Sequence, residues 1–148
     1  MAATAGQIAE AGRIPGERIA TTTVTSDSST FTTSESAALA SVTASLVSGR
    51  TYRVRFVGRW GSTVADDQVR ARLREDDATG TLANFSASHL FTNSASGNDL
   101  MLVEAEFTAS STGSKTFVIT GQRTAGSGSC RLDADAAGPA FLYVDFIR

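Results

Sequence analysis

Gly49-Arg50-Thr51-Tyr52-Arg53-Val54-Arg55-Phe56-Val57-Gly58-Arg59-Trp60 decides the fold class. Tyr52, Val54, Phe56 and Trp60 fall on one parity, and Arg53, Arg55 and Arg59 on the other. A period of two is the signature of a strand, whose successive side chains point to opposite faces of a sheet. One face carries three aromatics and a valine, enough to seed a core. The other carries cations, which belong in water or against carboxylates. The stretch reads as the central strand of a β domain.

Outward from it, alternation recurs. Ala38–Leu46 places Ala38, Ala40, Val42, Ala44 and Leu46 on one side, and Val47-Ser48-Gly49-Arg50 reads as a hairpin turn into the central strand. Val69–Glu75 sets Val69, Ala71 and Leu73 against Arg70, Arg72 and Arg74, a second arginine ladder. Two such ladders directly opposed would repel. They must lie on different sheets or be interleaved with carboxylates such as Glu75, Glu104 and Glu106. Leu100–Ala109 alternates Met101, Val103, Ala105 and Phe107 with Glu104 and Glu106, which makes the two glutamates partners for an arginine ladder. Lys115–Arg123 reads as a strand, with Phe117 and Ile119 facing one way and Val118 and Thr120 the other. Ile19–Thr25, a piece around Phe31, Thr81–Phe91 (one or two strands) and a short Cys130–Asp133 add further extended segments. Phe141–Ile147 is apolar on both parities and reads as buried on both faces, so its loss should unfold the domain. About eight strands with turns every 8–12 residues predict an all-β, antiparallel, jelly-roll-like sandwich.

The chain has 148 residues, of which 41% are apolar, enough for one core. The domain is expected over residues 19–148. Residues 1–18 differ: an Ala-rich start, then Gly12, Pro15 and Gly16, which break regular structure. They read either as an extended anchoring arm, with Ile8 and Ile14 needing a surface to land on, or as a frayed terminus.

No stretch carries a catalytic set. His89 is the lone histidine, so no imidazole pair exists, and no Gly-x-Ser-x-Gly elbow accompanies it. Ser111–Thr116 lacks the order of a phosphate loop and lies between two strands, as a hairpin turn would. Asp66-Asp67 and Asp76-Asp77 lack the ligand spacing of a calcium motif. Cys130 is single and reads as a small core residue. No catalytic residue, metal or cofactor is expected. The net charge of −2 gives no reason to expect nucleic acid, and the arginines lie on the opposite parity from the aromatics, so phosphate contact and stacking could not share a face. No run reaches the length of a membrane span, and the N-terminus has no basic region followed by an apolar run. The stronger reading of the ladders is a subunit interface made of arginine–carboxylate pairs.

Several stretches together resemble a known group: Thr22–Ser28, Ser41–Leu46, Gly49–Val54, Arg72–Asp76, Gly113–Phe117 and the closing Leu142–Arg148. They look like small structural proteins of tailed phages infecting actinobacteria, a likeness spanning most of residues 20–148. The resemblance implies a non-enzymatic virion component, made in the host cytoplasm, with a jelly-roll-like sandwich that is often trimeric. Capsid decoration proteins, head fibres and tail appendages all fit it. As a decoration protein on the outer surface of the head, the chain would contact itself as a homotrimer and also the major capsid protein or another virion protein. The expected contact residues are Ile8, Ile14 and Arg18 of the arm, Arg53, Arg55, Arg59, Arg70, Arg72 and Arg74 of the ladders, and Glu104 and Glu106. As a tail appendage recognising host glycan, it would use the loops Gly61–Gln68, Thr92–Asp99 and Ala125–Ser129, with Trp60 and His89 nearby.

Overall fold

A computed structural model describes residues 14–91 and 99–148, with the side chains of 84–91 left aside. Among these residues there is no helix and there are nine strands: β1 Arg18–Val24, β2 Ala40–Leu46, β3 Thr51–Ser62, β4 Gln68–Glu75, β5 Leu82–Phe91, β6 Asp99–Thr108, β7 Gly113–Ala125, β8 Cys130–Asp133 and β9 Ala140–Phe146. They form two antiparallel sheets. Sheet A runs β1-β9-β3-β6, with β8 also pairing β3, and sheet B runs β2-β7-β4-β5. With β8 set aside, this order interlocks two Greek keys, which is the jelly roll.

The core lies between the sheets, where the period-two pattern sends its apolar parity. Tyr52, Val54, Phe56 and Trp60 of β3 are at most 1% exposed, as are Val69, Ala71 and Leu73 of β4. Trp60 packs edge-on against Phe31 and Phe56, with ring centroids 5.9 and 6.0 Å apart. Phe31 enters through an isolated bridge to Cys130, itself fully buried. Gly121 leaves room for this cluster, since a Cβ there would come within 2.5 Å of Phe31 and 2.7 Å of Trp60.

Two turns read as hairpins are arches between sheets. Val47–Arg50 joins β2 of sheet B to β3 of sheet A, and the turn after Thr108 joins β6 of sheet A to β7 of sheet B. The turn chemistry is as expected, with Gly49 at φ 79°. A positive φ reverses the chain, but it does not choose which strand the chain pairs with next. The two arches hold each other: the Gly49 amide donates to Ala109 O at 2.8 Å, and the Ser48 amide to Thr112 Oγ1 at 3.0 Å. A true hairpin joins β4 and β5. Gly80 is required there, because a Cβ would fall 1.7 Å from Glu75 O.

The closing strand also departs from expectation. β9 is interior to sheet A, between β1 and β3, but only Ala140, Leu142, Val144 and Phe146 are buried. Phe141 and Tyr143 lie on the outer face, with Phe141 39% exposed. Apolar residues on both parities here mean a core face and a second apolar surface, not burial on both sides.

A candidate interaction face

The two arginine ladders are separated by the sandwich, one on the outer face of each sheet, and both are met by carboxylates. On sheet B, Arg72 and Arg74 of β4 converge on Glu35, which lies in the connection between β1 and β2. That connection runs along β7, with the Ser36 amide bonded to Gly121 O at 2.8 Å and Leu39 to Ile119 O at 2.8 Å. Glu35 reaches past Thr120 to accept from Arg74 Nε at 2.6 Å and Nη2 at 2.7 Å, from Arg72 Nη1 and from the Thr120 hydroxyl. Burial works to raise the pKa of this carboxyl, and the hydrogen bonds from Arg74, Thr120 and Arg72 outweigh it and lower the value to about 2. This ladder is an internal brace that ties a long connection to the sheet. The expected partner Glu75 turns instead to Lys115 at 2.8 Å.

The face of sheet A is different. Strand register places its outward residues in rows across β1, β9, β3 and β6. One row is Arg18, Asp145, Arg53 and Glu106. The next is Thr21, Tyr143, Arg55 and Glu104. The third is Thr23, Phe141, Val57 and Leu102. Arg18, assigned to the arm from sequence, opens β1, and the register shift before Ala20 turns it onto this face. It pairs with Asp145 at 2.9 Å, and its guanidinium lies 3.7 Å from the centre of the Tyr143 ring. Arg55 donates to Glu104 at 2.5 Å and to the Tyr143 hydroxyl at 3.4 Å. Arg53 lies 3.2 Å from Glu104 and 3.6 Å from Glu106. The arginine–glutamate pairing expected from the alternation is therefore present on β3 and β6.

Beside these ionic rows lies apolar surface. Leu102 is 53% exposed, and Leu100, opposite Arg59, is 68% exposed. Arg59 itself is drawn off to the β8–β9 connection, donating to Asp135 Oδ2 at 3.0 Å and to Gly138 O at 3.2 Å. A Cβ on Gly138 would lie 2.6 Å from that guanidinium and push it aside. Phe141, Tyr143, Asp145, Leu100 and Leu102 were missed as surface residues. The signal was the second apolar parity of β9, together with the leucines that share the glutamate parity on β6.

Of the other expected contact residues, Ile14 is 56% exposed, and Ile8 lies outside the described residues. Arg70 shares the outer face of sheet B with Arg72 and Arg74 and stands opposite Gln122 and His89 in the register.

The loops Gly61–Gln68 and Ala125–Ser129 do come together, around Asp67. This fully buried carboxylate accepts the Ser62 hydroxyl and the amides of Ser127 at 2.8 Å and Gly128 at 3.2 Å. Burial pushes its carboxyl up, and the bonds from Ser62, Gly128 and Ser127 outweigh that and hold it below the usual range. A small depression beside them is lined by Thr30, Thr63, Ser129, Arg131 and Asp133. Residues 92–98 of the third loop lie outside the described residues. Trp60, expected near these loops as part of a glycan site, is 0% exposed and belongs to the core.

Among the described residues, no three histidines, cysteines or carboxylates gather as metal ligands, and no helix is long and apolar enough to cross a membrane. No family model and no curated protein matches the chain. Among solved structures it is similar to CBM4, at 11% identity over 72% of this chain and 60% of that one, TM-score 0.36. It is similar to a family 6 carbohydrate-binding module at 16% identity over 86% of this chain and 93% of that one, TM-score 0.35. It is similar to VP2 of an infectious bursal disease virus subviral particle at 13% identity over 86% of this chain and 38% of that one, TM-score 0.37. At these values no property of the three is carried over.

Proposed function

We propose that the chain is a non-enzymatic structural protein of a phage virion, a capsid decoration protein that works by protein–protein contact. The observation that carries the contact role is the outer face of sheet A, where rows of arginine–carboxylate pairs border exposed Leu100, Leu102 and Phe141. Charge pairs fixed beside an apolar strip suit a protein partner, because the strip supplies burial and the pairs supply register. The virion assignment rests on the resemblance carried by residues 20–148. In this role the sandwich sits on the head surface and the residues ahead of β1 lie along the shell. Many weak contacts repeated over a lattice add to an attachment that does not come off.

Immunogold labelling of intact virions tests the reading. Gold over the head is the expected result. Gold confined to the tail tip would move the chain to an appendage, and bare particles would end the virion assignment. A second test deletes residues 1–15, which spares β1 and the backbone bonds of Gly16 and Glu17 to Phe146: head binding should fall, and unchanged binding would remove the arm from the mechanism.

A glycan-binding appendage is the second reading. The gathering of loops Gly61–Gln68 and Ala125–Ser129 beside a small depression favours it, and the burial of Trp60 counts against it because no exposed tryptophan remains to stack on a sugar.

A further inference from the structure

The charged row on sheet A alternates in sign from one edge to the other: Arg18 on β1, Asp145 on β9, Arg53 on β3, Glu106 on β6. A four-membered row of this kind is complementary to its own reverse. Let a second copy be laid face to face, related by a two-fold axis in the interface parallel to the strands and midway between β9 and β3. Each strand then faces its mirror in the order, β1 opposite β6 and β9 opposite β3. Arg18 meets Glu106 of the other copy, and Asp145 meets Arg53. The same operation sets Tyr143 against Arg55 and Thr21 against Glu104 in the second row. In the third row it sets Phe141 against Val57 and Thr23 against Leu102. Every charge of these rows meets its opposite or a hydroxyl, Phe141 meets Val57, and Leu102 meets Thr23.

We propose that the outer face of sheet A binds a second copy of this chain through this two-fold contact. The inference deepens the proposed contact role of that face and does not depend on where in a virion the chain sits. Charge complementarity singles out the occupant. An acidic partner would meet Asp145, Glu104 and Glu106, and a basic one Arg18, Arg53 and Arg55, so a surface of one sign is repelled by half of the face. A copy of the face opposes every charge of the three rows to its opposite or to a hydroxyl. The isologous geometry is the usual one for a homodimer. Four strands about 4.8 Å apart and some seven residues long span roughly 20 by 23 Å, at the small end for a specific contact. The dimer is accordingly weak in dilute solution and occupied where copies are concentrated, as on a lattice.

The test exploits pairs that exist only between copies. Within one chain, Arg18 and Glu106 stand on opposite edges of the four-strand row, about 14 Å apart at ordinary strand spacing. Two copies of Arg18→Glu oppose the introduced carboxylate to Glu106. Two copies of Glu106→Arg oppose Arg18 to the introduced guanidinium. In a mixed pair each introduced group meets the other, and the remaining Glu106 of one variant meets the remaining Arg18 of the other, so both contacts are restored. Sedimentation equilibrium of the full chain should show a monomer–dimer equilibrium for the wild type. It should show about tenfold weaker association for each variant alone and recovery in the equimolar mixture. Circular dichroism should show both variants folded, because Arg18→Glu loses one ion pair and one ring contact at the sheet edge and Glu106→Arg loses exposed ion pairs, with no core side chain touched. Should one fail to fold, Thr23→Glu mixed with Leu102→Lys makes the same test in the apolar row. A wild type that stays monomeric, or a mixture no tighter than its components, would overturn the two-fold contact. So would a trimer insensitive to these changes, which would place self-association on another surface.

Discussion

At the scale of single residues, Glu35 is the side chain on which most depends. Two guanidinium groups and a hydroxyl converge on its carboxylate, which is only 19% exposed. Replacing it with glutamine leaves Arg72 and Arg74 against a neutral amide in a largely dry place, at a cost of about 3 kcal/mol. Thermal melts of Glu35→Gln should show the loss. The same residue sets an acid limb. Its pKa is lowered to about 2 from 4.5, so the folded state binds its proton less readily than the unfolded chain does. The stabilisation is complete above about pH 4.5 and is lost as pH falls towards 2. Denaturant titrations should show wild type losing on the order of 3 kcal/mol across that window from this group, with Glu35→Gln flatter over the same range. Glu35 was invisible in the sequence because it sits in irregular chain between two strands. No periodicity marks such a residue, and only the path of the connection along β7 brings it to the ladder.

At the scale of elements, the arches and the closing strand carry the fold. β9 pairs β1 on one side and β3 on the other, and it supplies Leu142, Val144 and Phe146 to the core. Deleting residues 140–148 should therefore abolish the cooperative melt, since a single-sheet edge would be left in the middle of the sandwich. Asp67 plays the matching part at the other end, where it joins two loops by accepting the amides of Ser127 and Gly128. Asp67→Ala should cost about 3 kcal/mol, because those buried donors and the Ser62 hydroxyl lose their acceptor. Hydrogen exchange should quicken first at Ser127 and Gly128 and leave β3 and β7 protected. Strand existence was legible almost throughout, as in β3 and β4, because a half-buried strand must alternate. Strand connection was not. Val47–Arg50 has the chemistry of a hairpin and forms an arch, since a turn sequence dictates reversal and says nothing about the sheet that receives the next strand.

At the scale of the whole molecule, the two outer faces have been put to different uses. That of sheet B is tied internally through Glu35, while that of sheet A presents complementary rows and an apolar strip outward. Leu102→Glu should leave the melting temperature unchanged, since the residue is half in water already, and should weaken self-association in sedimentation. Raising the salt from about 0.1 M to about 1 M should loosen the same contact, as exposed charge pairs are screened over about 3 Å at the higher strength.

The amino-acid sequence by itself determined the class of fold, the core parity of β3 and β4, and that the glutamates of β6 would meet arginines. These follow from alternation, which is local and needs only the pleat of a strand. The tertiary structure decided which sheet each strand joins, that the two arginine ladders face opposite ways, and that Phe141, Tyr143, Leu100 and Leu102 share one surface with Arg18 and Asp145. Those juxtapositions join residues up to 127 positions apart. They are set by how two Greek keys close around a common core, a property of the whole chain that no window of its sequence contains.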